Sequence, residues 1–565
     1  MTSLETSAGT RPDAGRTLTA GTLVAAALAA CVAQVALAIP AVFNGLFQQD
    51  LGTSSAQLTW ISDAFLVPVT LLELTTGVLG DLFGRKRLLV GGALLLSLGE
   101  LVAVLTPGSS ASTDTRVFVL WAGQILAGVG AAALFPTSLA MVAHGTHTVG
   151  HRARSVTIWT ACLSAGGAIS PVLGGLLAKM KFGNDANASW RWGFLLVLLL
   201  GLISAGVSAM FAKNSSAPEG RSLDWPGQIT IAVAVFAALF AVIQGPTDGW
   251  GSGWVIGGFV IAAVFLGAFV AVEQRTAAPL LRLSLFANRA FAVAAVATVF
   301  GMMSFLGTAY ATSIRLSAIQ GFSPLKSSYA FVLLNGIAFV LIPITGAIMA
   351  RYRPRWILGG GSLLIGIGDL WMAALPATNL SIARTLAPLA LVGIGFAFAV
   401  TSLTAVTVNT VPRHLAGMAA GTTSLLRDFG FTLGPAVIGA VALSRAAHTV
   451  SAKIASSPTL QSALAQFNAA PTHVPAAERE SVAAAVGAVH SGPLGANAVP
   501  AMVPGPDGKL IPFNPLKGVA FHALSDAYTV GYIVCGLAAL VAAALALFAL
   551  GGRDHDQFAT DESLA

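Results

Sequence analysis

Apolar stretches of about twenty residues or more, parted by short polar segments, recur along nearly the whole chain. Each is long enough to cross about 30 Å of hydrocarbon as a helix. The pattern predicts spans over about 18–43, 57–80, 88–106, 116–143, 155–178 and 191–212, which form a first set of six. Two more follow at about 227–245 and 254–273. A second six is expected at about 289–312, 326–350, 356–376, 386–410, 416–444 and 525–550. The expectation is an all-α polytopic membrane protein with fourteen transmembrane helices. From about Ser444 to Phe521 the chain turns polar, with an amphipathic stretch near Ala476–His490 and a Pro/Gly-rich part around Pro493–Pro515. This reads either as a lid or as a partly disordered loop.

Composition agrees with that class: 55% of residues are hydrophobic, 9% are charged, and the mean hydropathy is +0.80. The net charge of +7 does not point to nucleic acid, because the basic residues sit singly or in short clusters between spans. One set of loops holds Arg85, Lys86, Arg87, Arg152, Arg154, Lys213, Arg221, Arg275, Arg282, Arg289, Arg351, Arg353, Arg355 and Arg413. The opposite short loops hold Arg116, Lys179, Lys181, Arg191, Arg315, Lys326 and Arg384, so fourteen cations face seven. The positive-inside rule then places both termini in the cytoplasm of a cell membrane. The first apolar run lacks a small-residue cleavage site and reads as an uncleaved helix. Cys31, Cys162 and Cys535 all fall within apolar runs, which leaves neither a disulfide framework nor a metal-ligand spacing. His144, His147 and His151 read as interfacial rather than as a metal site.

The two sets of six are copies of one another. Gly77, Gly91, Gly92, Gly99 and Glu100 match Gly346, Gly360, Gly361, Gly368 and Asp369 at a constant shift of 269. Thr137-Ser138-Leu139 matches Thr401-Ser402-Leu403, and Gly166, Ser170-Pro171 and Gly175 match Gly430, Gly434-Pro435 and Gly439, at a shift of 264. A six-helix unit repeated in the same orientation implies two halves about an axis along the membrane normal, with a substrate path between them. On this division the chain comprises a cytoplasmic tail (1–17), an N-terminal six-helix bundle (18–212), two inserted helices with linkers (213–288), a C-terminal six-helix bundle (289–550) holding an extracytoplasmic loop (445–521), and a cytoplasmic tail (551–565).

The loop after the second span reads Gly77-Val78-Leu79-Gly80-Asp81-Leu82-Phe83-Gly84-Arg85-Lys86-Arg87 and resembles the cytoplasmic signature of the major facilitator superfamily. Its acid and basic cluster are spaced to form a charge-relay lock with a helix end of the other half. The fifth span carries Gly166-x-x-x-Ser170-Pro171-x-x-Gly174-Gly175, similar to the motif of the superfamily's antiporters, with Ser170 where glycine is usual. Small residues on one face let two backbones approach closely, and the family reading is a seam that limits leakage between halves. Trp60-Ile61-Ser62-Asp63-Ala64-Phe65, Ser189-Trp190-Arg191-Trp192 and Leu223-Asp224-Trp225-Pro226-Gly227, with the span count, resemble the fourteen-spanner drug:proton antiporters. The resemblance covers nearly the whole chain except the long outer loop. It implies the major facilitator fold and proton-coupled efflux of hydrophobic or amphiphilic small molecules such as antibiotics. The implied partners are the substrate, protons and the bilayer, for a protein acting as a monomer without cofactor. Two positions depart from that branch: Cys31 stands where an acid precedes Ala38-Ile39-Pro40, and Gln124 stands where an arginine precedes Gly128-Val129-Gly130. The usual coupling pair is therefore not carried over.

An ionised carboxylate is costly in hydrocarbon, so an acid there must find a partner or take up a proton. The candidates are Asp63, Glu73, Glu100, Asp369 and Asp428, with Arg427 as an intramembrane base. Asp63, about a turn below the outer surface, reads equally as solvated. Glu100 and Asp369 occupy equivalent places and read as structural pairs with neighbouring helices. Glu73 lies eight residues before Asp81, about 12 Å deep, and Arg427 lies about 16 Å deep from the same side; the superfamily fold that the motifs resemble packs their two helices together, which implies that the charges meet across the halves, either as a proton-coupling pair or as a static salt bridge. Besides an exporter, the chain is compatible with a facilitator or uptake carrier, or with a non-transporting sensor. A polytopic membrane enzyme would need clustered nucleophile, acid/base or metal groups, and the sequence has no such cluster.

Overall fold

The computed structural model describes residues 18–146, 149–183, 185, 187–216, 223–276, 279–349, 351–409, 416–473, 476–504 and 510–550. The tails 1–17 and 551–565, with His147, Arg221 and Arg413, lie outside the described residues, as does the side chain of Arg152. Among the described residues, fourteen helices are long and apolar enough to cross a membrane.

The elements of the first half are α1 (Ala20–Ala38), α2 (Asn44–Leu51), α3 (Ser55–Phe83), α4 (Arg85–Val104), α5 (Thr113–His144), α6 (Val149–Leu177) and α7 (Arg191–Phe211). The inserted pair is α8 (Trp225–Asp248) and α9 (Gly253–Glu273). The second half comprises α10 (Arg289–Ser313, continued by a π-turn Ile314–Ile319), α11 (Pro324–Phe331), α12 (Ile337–Met349), α13 (Pro354–Ala374), α14 (Ala383–Asn409) and α15 (Ala416–Ser456). After α15 come α16 (Pro458–His473), α17 (Ala476–His490), α18 (Pro493–Ala498), the antiparallel hairpin β1 (Met502–Pro504) and β2 (Leu510–Pro512), and α19 (Lys517–Ala544).

Local chemistry sets many of these boundaries. The Thr19 hydroxyl accepts the Thr22 N–H at the start of α1, and Ser54 with Gln57 forms a reciprocal cap on α3. Gly84, at φ 101°, makes the sharp break between α3 and α4 that a residue with a Cβ would strain. Asp224 caps α8 by accepting the Gly227 N–H, which gives the Asp-Trp-Pro-Gly stretch a structural duty. In the first half α4 packs on α5 and α7, and α1 on α5, α6 and α7. In the second half α10 packs on α15 and α19, and α13 on α14 and α19. The inserted α8 lies against α3 and α15 together, so it covers the lipid side of the junction between halves. Gln228 anchors it there, accepting from Thr75 and donating to the Leu71 carbonyl at 2.6 Å.

The first span covers Ala20–Val42, close to the expected 18–43, but it is not one regular helix: α1 ends at Ala38, a 3₁₀ turn at Ile39–Val42 containing Pro40 continues it, and the unforeseen α2 follows. Pro40 brings no N–H to the helix ladder. The polar look of α2 hid it, although Asn44 and Gln48 are buried. The segment 444–521 is not a partly disordered loop in its described residues: α15 continues to Ser456, and α16–α18 fold around an apolar nucleus of Phe467, Val489, Ala496, Val499, Leu516 and Ala520. The last span begins at Lys517 rather than near 525.

Candidate functional site

Where α3 crosses α15, the two halves exchange polar contacts inside the apolar slab. The Thr70 and Thr432 hydroxyls meet at 2.8 Å. One turn nearer the end that carries Arg85, Nη2 of Arg427 lies 3.7 Å from Oε1 of Glu73. The same guanidinium grips Asp428 through Nε–Oδ1 at 2.7 Å and Nη2–Oδ2 at 2.9 Å. The predicted Glu73–Arg427 pair therefore comes together, with Asp428 as the closer, bidentate partner. The side chains of Glu73 and Asp428 are 6% and 7% exposed while that of Arg427 is 25% exposed, so the cation can be reached and the acids are shielded. Oε2 of Glu73 has no hydrogen-bond partner among the described residues. Two carboxyls thus share one cation.

Beside this triad, Phe305 of α10 stacks on Phe396 of α14 with centroids 3.6 Å apart, and Phe431 of α15 stands 6.4 Å from both. Phe431 follows Arg427 by one helical turn, so aromatic faces and the ion cluster adjoin. Across the path, Gln34 of α1 lies against Gly167 of α6, with Asn335 close by on the second half. Sequence reasoning missed the aromatic group because its members are spread over 126 positions (431 minus 305).

Asp63 is fully buried, not solvated as one reading had it, and neither oxygen has a hydrogen-bond partner among the described residues. It neighbours Tyr310, whose hydroxyl meets that of Thr59 at 2.8 Å and so ties α3 to α10. The equivalent acids differ. Asp369 accepts from Ser304 at 2.9 Å and Thr308 at 2.6 Å. Glu100 lies beside the Gln124 amide without a well-formed hydrogen bond to it. At the repeat shift of 269 the hydroxyl positions of Ser304 and Thr308 become Val35 and Ile39, which leaves Glu100 without their equivalents. Cys31, at the other departed position, is half-buried on α1 with its carbonyl against Gly166.

At the loop signature, Arg85 grips Asp81 through Nε at 3.0 Å and Nη2 at 2.6 Å, both on Oδ1. The Arg85 N–H donates to the Ser215 carbonyl and the Lys86 N–H to Asn214, while Gly84 abuts the Asn214 side chain. These contacts join the signature to the segment after α7 in its own half. Arg87 follows on the same helix start.

The distal end, opposite Arg85, is closed. Asn44 donates to Ser313 at 2.7 Å, Ser313 donates to the Ala41 carbonyl, and Gly45 abuts Ser317. Asn44 and Ser313 are 269 apart, so equivalent positions of the two copies meet on the axis between them. Gly166 of the fifth span packs on α1, Gly174 packs on the 3₁₀ turn after it and on Phe43, and Gly175 packs on the Leu325 backbone of α11 across the halves. Pro171 lies within α6 and Ser170 is fully buried, its hydroxyl unpartnered among the described residues. A second staple escaped sequence reading: Arg116 donates to the Asp50 carbonyl and to Oδ1, both at 2.6 Å, and the Trp190 indole donates to Oδ2 at 2.7 Å. Arg191 donates to the carbonyls of Val104 and Thr106.

Residues 24–435 match the profile of the Major Facilitator Superfamily. The chain is 30% identical over 396 residues to the "Multidrug resistance protein Stp" of Mycobacterium tuberculosis, covering 70% of each protein. It is 27% identical over 430 residues to the "Tetracenomycin C resistance and export protein" of Streptomyces glaucescens, covering 75% of this chain and 76% of that one. Among solved structures, it superposes on a bacterial homologue of the human lysosomal transporter Spinster, inward-facing and unoccupied, with a TM-score of 0.57 at 16% identity over 96% of this chain and 98% of that one. The tetrameric PepTSo2 gives a TM-score of 0.55 at 17% identity over 93% of this chain and 97% of that one.

Proposed function

This chain belongs to the major facilitator superfamily, and is thus a multi-pass membrane transporter rather than an enzyme; we propose that it exports hydrophobic or amphiphilic small molecules, antibiotics among them, in exchange for protons. The export direction and substrate class rest on the relatives named for multidrug resistance and for tetracenomycin C resistance and export. Beside the ion cluster, the Phe305–Phe396–Phe431 group supplies apolar faces for such a molecule. The charge asymmetry of the loops favours a cytoplasmic membrane location with both termini inside.

The observation that carries the coupling proposal is the Glu73–Arg427–Asp428 triad across the halves. The Arg427 cation favours the ionised form of a carboxyl beside it, so Glu73 sheds its proton only while the cation of the other half faces it. In the form closed at the distal end, Glu73 faces Arg427 from the other half. Rocking of the halves draws α3 from α15, leaves Arg427 with Asp428, and strands Glu73, which holds a proton in that form. Return of the pair releases it. Conformation and proton occupancy are thereby tied without an acid at Cys31 or an arginine at Gln124. Asp63 is the reserve candidate on the same helix, about 15 Å nearer the distal end. The lock at Gly77, Asp81, Gly84, Arg85, Lys86 and Arg87 and the seam at Gly166, Ser170, Pro171, Gly174 and Gly175 set the balance between the two forms.

Substrate accumulation in inside-out vesicles tests the reading. An imposed proton gradient should drive uptake of a lipophilic cationic dye, and an uncoupler should abolish it. Accumulation insensitive to the gradient would rule out proton exchange.

A further inference from the structure

The polar segment between α15 and α19 is a folded cap, and its shortest helix enters the transporter itself. Pro493, Leu494, Gly495, Ala496 and Asn497 of α18 are all buried, and Leu494 belongs to the main apolar core of the membrane domain. The Asn497 amide donates to the carbonyls of Ala318 at 2.8 Å and Ile319 at 3.3 Å. These carbonyls end the helix α10 with its π-turn and have no onward helical partner. Asn514 fixes α18 within the cap by donating to the carbonyls of Ala496 at 2.7 Å and Val499 at 3.2 Å. The same α18 packs on α2 of the first half. It therefore sits over the place where Asn44 meets Ser313 on the axis between halves.

The attachments are unequal. α15 and α19, to which the cap is joined in sequence, belong to the second half, and so does the π-turn that Asn497 holds. When the halves part at the distal end, the cap must travel with the second half, and the face between α18 and α2 is the one that opens. A long α15 supports this placement: 41 residues rise about 62 Å, twice the hydrocarbon thickness, and carry the cap clear of the membrane.

We propose that α18 is a latch on the distal gate: seated on α2 it holds the exit closed, and it must slip off α2 before the exit opens. The proposal rests on the alternating-access reading, but its test needs neither substrate nor proton gradient. Ser317 is 5% exposed and faces Gly45 beneath the latch. In a chain with Cys31, Cys162 and Cys535 replaced by serine, Ser317→Cys would be labelled from outside with a membrane-impermeant maleimide. Adding Asn497→Ala removes two hydrogen bonds and should speed labelling about fivefold to tenfold. Leu494→Ala, a separate loss of packing, should act in the same direction, and each variant is first checked for monodisperse elution. Equal or slower labelling in folded protein carrying either change would overturn the latch, even if proton-driven export is established. Should export prove independent of protons, faster labelling would still support it.

Discussion

Replacing Gly175 with alanine puts the closure of the distal end under direct strain. A Cβ there would lie 2.7 Å from Cα and 3.0 Å from N of Leu325, whereas carbon contacts settle near about 3.5–4.0 Å. Both obstructing atoms are backbone of α11, so no side chain can swing aside, and the two halves must separate by about 1 Å. Overpacking of this kind costs about 1–3 kcal/mol. On the alternating-access reading the cost falls on the distally closed form alone, because α6 and α11 part in the other form. At 1.4 kcal/mol per tenfold, the closed population should fall about 5- to 150-fold relative to the open one. A reporter thiol placed by Gln34→Cys, deep on the path beside Gly167, would read this as faster labelling from outside. Gly336→Ala is the control, since its Cβ would find only ordinary contacts at 3.6 and 3.7 Å. Labelling in Gly175→Ala no faster than in the control would refute the seam as a closure element.

Asp81→Asn should cut transport severely while expression stays near normal, because Arg85 loses an ionic partner held at 2.6 Å; wild-type initial rates would contradict this. Asp369→Asn should lower thermal stability by about 1 kcal/mol and leave gradient-driven transport intact, since the amide oxygen still accepts from Ser304 while Thr308 donates to the Ser304 carbonyl; loss of coupling in well-folded protein would move Asp369 into the machinery. Asp50→Ala should destabilise by about 3 kcal/mol, read as a lower melting temperature in detergent, because Arg116 and the Trp190 indole both lose a buried acceptor.

The spans were legible because hydrocarbon demands long apolar helices, and that demand is written in uninterrupted sequence. Elements stabilised by specific polar contacts were not. α2 carries Asn44, Gln48 and Asp50, and their burial depends on Ser313, Thr53 and Arg116 far along the chain or around a turn. The cap was hidden for a related reason: its alanine- and proline-rich helices share a small nucleus that no period betrays. Depth counting from Asp81 and Ala416 did bring Glu73 and Arg427 to one level, because rise per residue is fixed in a helix. It did not show that Asp428, already among the candidate acids, grips Arg427, because that grip depends on rotamers. Nor could it foresee that Gln124, noted as a departure, faces Glu100, noted as a structural acid.

The central claim is that the proton is carried at Glu73. Purified Glu73→Gln protein, reconstituted in liposomes, would be assayed for substrate accumulation with and without an imposed pH gradient. The account predicts that the variant still equilibrates substrate across the membrane but no longer concentrates it when the gradient is applied. Accumulation as steep as that of the unaltered protein would contradict it and pass the role to Asp63 or Asp428.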